Sequence, residues 1–189
     1  MTLAIEPYGN EPVLFHPYDP EAPEAAAALI SFIRQKLPAV IHHVGSSSVP
    51  GCGGKGIIDL LILFSNDRER EEIKEALSSL GFQNQTTKNP FPEERPMRTA
   101  AFLFSGKRFR AHVHVVSSLS QEAEELLLFR KALSENEKIR TVYEEIKKQI
   151  LKNGENPVNY SVEKEFFIRE ILLRYMPHDC RCCSTEERV

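Results

Sequence analysis

The stretch from residue 41 to residue 64 constrains the fold most, because it joins two apolar runs through a loop of small residues. The run from Ala39 to Val44 predicts a short strand, and the run from Ile57 to Phe64 predicts a longer one that carries a single carboxylate, Asp59. Backbone N–H groups in a loop rich in glycine and serine form a natural cradle for phosphate. A lone acid in a buried strand is costly unless it is paired or binds a cation. The stretch therefore predicts a strand–loop–strand unit that binds a nucleotide and a metal.

The composition is that of an ordinary globular protein, with 189 residues, 41% hydrophobic and 27% charged. We expect one domain over residues 1–177, followed by a disordered, cysteine-containing tail over residues 178–189. The net charge of −3 argues against a nucleic-acid partner. No apolar run approaches the roughly 18–20 residues of a membrane helix, and the first residues show no secretory signal. These features predict a cytoplasmic protein that has no membrane partner.

The four cysteines fit a reducing compartment. Cys52 stands alone in the glycine loop, whereas Cys180, Cys182 and Cys183 crowd the tail. We interpret them as free thiols. A metal-binding tail is the alternative, because these thiols and the nearby His178 are soft ligands, although no second cluster completes a four-ligand site.

The remaining pattern predicts an α+β fold with a small mixed sheet and C-terminal helices. Residues 1–20 read as a packed extended arm. Strands 99–104 and 109–116 form a hairpin around residues 105–108. Hydrophobic spacing and capping residues predict five helices, at residues 20–37, about 67–80, about 121–133, about 137–152 and 161–175.

The glycine loop and its flanks resemble the signature of the GrpB family, a branch of the nucleotidyltransferase superfamily related in fold to DNA polymerase beta. The resemblance begins with the run from His43 to Gly51, continues at Lys55, and ends at Asp59. Further similar segments follow downstream: Asn89 to Arg98, His112 to Val116, Phe129-Arg130 with Leu133, Tyr160-Ser161 with Lys164, and Phe167-Ile168. The resemblance covers about residues 8–175.

The resemblance implies a nucleotidyltransferase-like small mixed sheet flanked by helices. In active nucleotidyltransferases a Gly-Ser pair holds the triphosphate. Two acids separated by one residue bind two divalent metals, and a neighbouring strand supplies a third acid. The metals stabilise the attacking and leaving oxygens of the transfer. By this likeness Gly45 and Ser46, with Ser47, contact phosphate, and Asp59 is the catalytic metal ligand.

This sequence departs from the pattern of active nucleotidyltransferases at two places. Leu61 stands where the second acid belongs, and the strand expected to supply the third acid offers His112 and His114 instead. One carboxylate with two imidazoles suits zinc or another transition metal better than magnesium. The candidate metal set is therefore Asp59, His112 and His114, holding Mg²⁺, Mn²⁺ or Zn²⁺. An anion site without metal is equally consistent with these residues.

Several side chains are candidates for binding the phosphorylated ligand. His43 adjoins the glycine loop, Arg98 belongs to the family's arginine-bearing loop, and Lys164 lies on the closing helix, where a structural ion pair is its alternative role. The full set predicted to bind the ligand is Gly45, Ser46, Ser47, Lys55, His43, Arg98, His112, His114 and Lys164.

Three functions remain open from the sequence. The first is a nucleotidyltransferase-like protein that binds a nucleotide or another small phosphorylated ligand, with catalysis weakened by Leu61. The second is a non-catalytic accessory module of the same fold with a protein partner. The third is a metal-dependent hydrolase that uses Asp59, His112 and His114.

Overall fold

The computed structural model describes residues 3–12, 14–86, 90–152 and 166–174. The predicted ligand residue Lys164 and the cysteine-containing tail lie outside these ranges. Within them, no helix combines the length and the apolar character needed to cross a membrane.

The core of the structure is a mixed sheet of six strands in the order β1-β5-β6-β3-β2, with β4 also paired to β5. The β3 and β6 strands run parallel, and the other pairs are antiparallel. The strands are β1 (Ile5–Glu6), β2 (Ile41–Val44), β3 (Ile57–Phe64), β4 (Gln83–Asn84), β5 (Met97–Phe104) and β6 (Lys107–Ser117). The predicted α+β class with a small mixed sheet is confirmed.

The helices lie close to the predicted positions. They are α1 (Ala22–Arg34), α2 (Asp67–Ser79), α3 (Gln121–Glu135), α4 (Glu137–Lys152) and α5 (166–174), with a short 3₁₀ turn at Ser46–Ser48. Asn66 caps α2 by accepting a hydrogen bond from the Glu69 N–H at 3.0 Å. Gly81, whose φ is +96°, follows the helix end. These local signals were readable from the sequence because capping depends on neighbouring residues only.

The predicted hairpin exists, but its turn is shorter than expected. The structure turns at Ser105 and Gly106, whose φ angles are +50° and +79°, and β6 begins at once at Lys107. Two positive φ angles in a two-residue turn match the twist of antiparallel strands. The two-residue strands β1 and β4 were not predicted, since they are too short to show a hydrophobic period.

One face of the sheet packs against α1 and α2. The alternate β3 residues Ile58, Leu60 and Ile62 are at most 1% exposed and lie in one apolar cluster with side chains from both helices. Complete burial of each such side chain contributes about 1.5–3 kcal/mol. This layer fixes β3 in the centre of the fold.

The opposite face of β3 carries Asp59 and Leu61, because side chains alternate along a strand. Leu61 is fully buried in a small cluster with Val44, Val116 and Ala123, the last of which lies on α3. Further along, α3, α4 and α5 pack on the glycine loop around Val49. The C-terminal helices therefore lie over the same face as Asp59.

Candidate functional site

The register between β3 and β6 brings the predicted metal residues together. Asp59 pairs with His112, and Leu61 pairs with His114. Asp59 Oδ1 lies 3.4 Å from His112 Nδ1 and 3.7 Å from His114 Nε2. Among the residues that the structure describes, this is the sole group of three His, Cys, Asp or Glu side chains close enough to share a metal ion.

Asp59 is held as a carboxylate. Burial raises the pKa of Asp59, but the two imidazoles beside it outweigh that effect and leave the pKa below its usual range. Asp59 is therefore charged at neutral pH and accepts hydrogen bonds only.

His112 is covered by the N-terminal arm. Tyr8 Oη lies 2.8 Å from His112 Nε2, and the two rings stack with their centroids 5.2 Å apart. Burial raises the pKa of Tyr8, and Asp59 and Glu11 add to this, whereas Arg110 opposes it. The phenol therefore keeps its proton and has it available for His112.

His114 is contacted from the side away from Asp59 by Arg95. Arg95 Nη1 lies 3.0 Å from His114 Nδ1, and Arg95 Nε lies 2.9 Å from both carboxylate oxygens of Glu122. The guanidinium also stacks on Phe91, 4.0 Å from the ring centroid. Burial lowers the pKa of His114, which favours the neutral ring. Arg95 is thus fixed by partners on both sides.

Gly45 joins the glycine loop to this group. Its backbone has φ +70° and ψ −175°, a conformation that is essentially restricted to glycine. A Cβ at this position would lie 3.1 Å from both Cβ and Cγ of Asp59, and closer still to its Oδ2. The backbone at the start of the loop therefore packs directly on the Asp59 carboxylate.

Ser46 and Ser47 follow Gly45 in the 3₁₀ turn. Within the described ranges their backbone N–H groups donate to no acceptor of the protein. Both serines also line a small cleft, whose other walls include Tyr18, Ile58 and Phe109. Ile58 and Phe109 belong to the α1 and α2 side of the sheet, so this cleft does not include Asp59 or the two histidines. Gly45, which packs on Asp59 and precedes Ser46, lies between the two regions.

One predicted ligand residue, Arg98, lies away from the Asp59 group. Arg98 pairs with Val113 and is 5% exposed on the α1 and α2 side, where its guanidinium contacts Glu93 at 3.4 Å. The loop arginine that reaches the histidines is Arg95, because Met97, and not Arg98, pairs with His114. Lys55 is half-buried between two glycines at the start of β3.

His43 also differs from its expected position. It pairs with Leu60, whereas Val44 pairs with Asp59, so the side chain of His43 belongs to the opposite face of the sheet. Its Nε2 lies 3.1 Å from Ser47 Oγ. His43 therefore supports the serine turn and does not contact the Asp59 carboxylate.

We expect His43 to make stability depend on pH. Burial lowers the pKa of His43 to about 4, with Arg130 adding to the effect and Asp59 opposing it. Because the unfolded state binds this proton more readily, stability is complete above pH 6.5 and falls as the pH drops toward 4. The loss at pH 5 is about 2 kcal/mol. Urea unfolding at pH 7.5 and pH 5 measures it, and His43→Gln should reduce the difference by that amount. An equal loss in both proteins would contradict the assignment.

The sequence reading missed Lys147 on α4. Its side chain is 2% exposed, its Nζ donates to the Gly53 carbonyl and lies 4.1 Å from the Tyr143 ring centroid. A Cβ on Gly54 would lie 3.4 Å from this Nζ and would clash with Ser46 Oγ, so Lys147 and Ser46 flank Gly54. The available signal was its spacing, since Lys147 occupies an apolar-stripe position between Tyr143 and Ile150.

Comparison with known proteins decides the family. The sequence profile of the family described as GrpB protein matches residues 12–174. This chain belongs to the GrpB family. Similar proteins include UPF0157 proteins of Streptomyces coelicolor, 30% identical over 71% of this chain and 67% of that protein, and of Halalkalibacterium halodurans, 27% identical over 87% and 83%. Tyr8 precedes the part of the chain that the GrpB profile matches.

Solved structures support the fold. The conserved protein GrpB from Enterococcus faecalis superimposes with a TM-score of 0.66 and 24% identity, covering 86% of this chain and 99% of that one. A structure of the GLD-2/RNP-8 complex matches with a TM-score of 0.50 and 16% identity, covering 89% of this chain and 62% of that one. The GrpB chain described here therefore has the nucleotidyltransferase-like fold that the resemblance implied.

Proposed function

We propose that this GrpB-family protein binds a small phosphorylated ligand, in the simplest case a nucleotide, on the sheet face that carries Asp59. One observation carries the proposal: the Gly45 backbone packs on the Asp59 carboxylate, which itself contacts His112 and His114. We therefore assign one ligand to both the serine turn that follows Gly45 and the polar group on the strands, because the two adjoin at the Gly45 backbone.

The phosphate end of the ligand is assigned to the loop. The backbone N–H groups of Ser46 and Ser47 are donors of the kind that bind phosphate oxygens. Lys147 adds a positive charge next to Gly54 and Ser46, and its position beside the Tyr143 ring limits its contact with water. A charge screened from water acts more strongly on an anion than one at the surface.

The other end of the ligand is assigned to Asp59 and the two histidines. A carboxylate is a good acceptor for sugar hydroxyl groups, as in many nucleotide sites. The imidazole rings add flat polar surfaces next to it, with Phe91 and Tyr8 at their outer edges. A ligand with a phosphate and a hydroxyl-bearing ring satisfies both ends.

Binding, and not nucleotidyl transfer, is what we propose for this site. Two-metal transfer needs a second carboxylate close to the first. The position available for it is held by Leu61, which is fully buried against Val44, Val116 and Ala123. The same burial favours the second candidate, a non-catalytic accessory module. Capture of a protein partner that tolerates Asp59→Asn, without any nucleotide binding, would favour that candidate.

Isothermal titration with nucleoside triphosphates and pyrophosphate tests the proposal. We expect Lys147→Met to weaken binding at least about tenfold, because the charge next to the loop is lost. Methionine fills a similar volume, and circular dichroism of the variant checks that the fold is kept. Lys131→Met is the matched control, since Lys131 is 62% exposed on α3, and it should bind like the natural protein. Absence of heat with every compound at millimolar concentration would overturn the proposal.

A further inference from the structure

We infer that Arg95 fixes the protons of the Asp59, His112 and His114 group so that His114 cannot ligate a divalent metal. The inference concerns the ligand-free protein and does not depend on the ligand proposed above. By distance alone the three side chains suit zinc, whose bonds of about 2.0–2.2 Å place tetrahedral ligand atoms about 3.3–3.6 Å apart. The separations of 3.4 and 3.7 Å are close to that range.

The position of the proton on His114 follows from its neighbours. An arginine guanidinium has hydrogen-bond donors and no acceptor. With Arg95 Nη1 3.0 Å away, His114 Nδ1 must therefore accept. A neutral imidazole then carries its proton on Nε2, which is the nitrogen that faces Asp59 Oδ1. The nitrogen that faces the position a metal would take has no free lone pair.

His112 has the complementary arrangement. Its Nδ1 faces the carboxylate of Asp59, which only accepts, and its Nε2 faces the Tyr8 hydroxyl at 2.8 Å. The neutral ring therefore carries its proton on Nδ1 and accepts from Tyr8. Donors then run inward from both ends, from Tyr8 through His112 and from Arg95 through His114, and both end on Asp59. The group is thus a chain of donors aimed at one carboxylate, with hydrogen bonds at its outer ends and contacts of 3.4 and 3.7 Å at Asp59.

Metal binding would require the proton of His114 to move to Nδ1, since a metal takes a nitrogen lone pair. Two N–H donors would then face each other at the Arg95 contact. Arg95 cannot easily move away, because Glu122 binds it through the guanidinium and Phe91 stacks on it. In His112 the corresponding proton shift, from Nδ1 to Nε2, is allowed, because the Tyr8 hydroxyl can rotate and accept a hydrogen bond from Nε2–H. Arg95 is therefore a positioning residue that excludes His114 from metal coordination.

A long-range ¹H–¹⁵N NMR spectrum tests the inference directly, because it separates protonated from unprotonated imidazole nitrogens. In the natural protein at pH 7.5 we expect the His114 proton on Nε2 and the His112 proton on Nδ1. A His114 proton on Nδ1 would overturn the inference. The NMR measurement needs no ligand. The inference can therefore be tested even if the protein binds no nucleotide.

Zinc titration of Arg95→Gln supplies the second test. Glutamine offers a carbonyl oxygen that can accept from Nδ1–H, so His114 Nε2 becomes free to bind the metal. We expect zinc affinity to rise roughly 10- to 100-fold, the range by which partners of metal-binding histidines alter affinity. Arg68→Gln is the control, because Arg68 is 89% exposed on α2, and it should leave affinity unchanged. The inference is wrong if zinc binds to His114 Nε2 in the natural protein. It is also wrong if the Arg95→Gln variant is folded and its zinc affinity does not rise.

Discussion

Replacing Leu61, two residues after Asp59, with aspartate is expected to unfold the protein at 25 °C. Leu61 is 0% exposed and packs against Val44, Val116 and Ala123. Removing its side chain alone would cost about 2–5 kcal/mol. An added carboxylate without a partner costs several more, or is forced into its protonated form. Since natural domains have about 5–15 kcal/mol of stability in total, the change exceeds most of it.

Circular dichroism with urea unfolding checks this result against two comparison variants. Leu61→Ala should stay folded with an intermediate loss, which separates the lost packing from the buried charge. Leu103→Asp should change stability by less than about 1 kcal/mol, because Leu103 is 45% exposed on β5. A folded Leu61→Asp protein that binds two metal ions would show that the second acid position is open, and it would refute our assignment of binding without transfer.

Gly45→Ala is the second change for which we expect a large effect, a loss of about 2–6 kcal/mol. For a residue with a side chain, a backbone at φ +70° and ψ −175° is unfavourable by about 1–3 kcal/mol. The new methyl group would also collide with the Asp59 carboxylate, and overpacking of this kind adds about 1–3 kcal/mol. Any relaxation must push the loop or the carboxylate out of place, so ligand affinity should fall with stability.

Gly106→Ala is a matched control for the Gly45 result. Its φ is +79°, similar to that of Gly45, but a Cβ there meets no atom within 4 Å. Thermal unfolding of both variants therefore separates the backbone cost from the contact with Asp59. Equal losses in the two variants would mean that the Gly45 backbone does not press on the carboxylate, and the proposal that one ligand contacts both regions would lose its main support.

The histidine pair and the two arginines show how much of the site the sequence predicts. The strand carrying Asp59 and the pair His112 and His114 were predicted to come together, and the structure places them within one group. The sequence predicts Arg98 as the ligand-binding arginine of the proline-rich loop, whereas in the structure Arg95 contacts His114. Both lie in the same polar segment, and nothing in their spacing distinguishes them, because the register of β5 against β6 decides which one faces the site.

The sequence by itself determined the local features: the strand–loop–strand unit, the helix caps and the absence of a second acid at Leu61. Each depends on residues a few positions apart, so period and turn chemistry suffice to predict it. The tertiary structure alone decided that Tyr8, Arg95 and Lys147 join the site and that His43 and Arg98 turn away from Asp59. Those contacts arise from strand register and helix docking between distant segments, and a shift of one residue in register moves a side chain to the other face of the sheet.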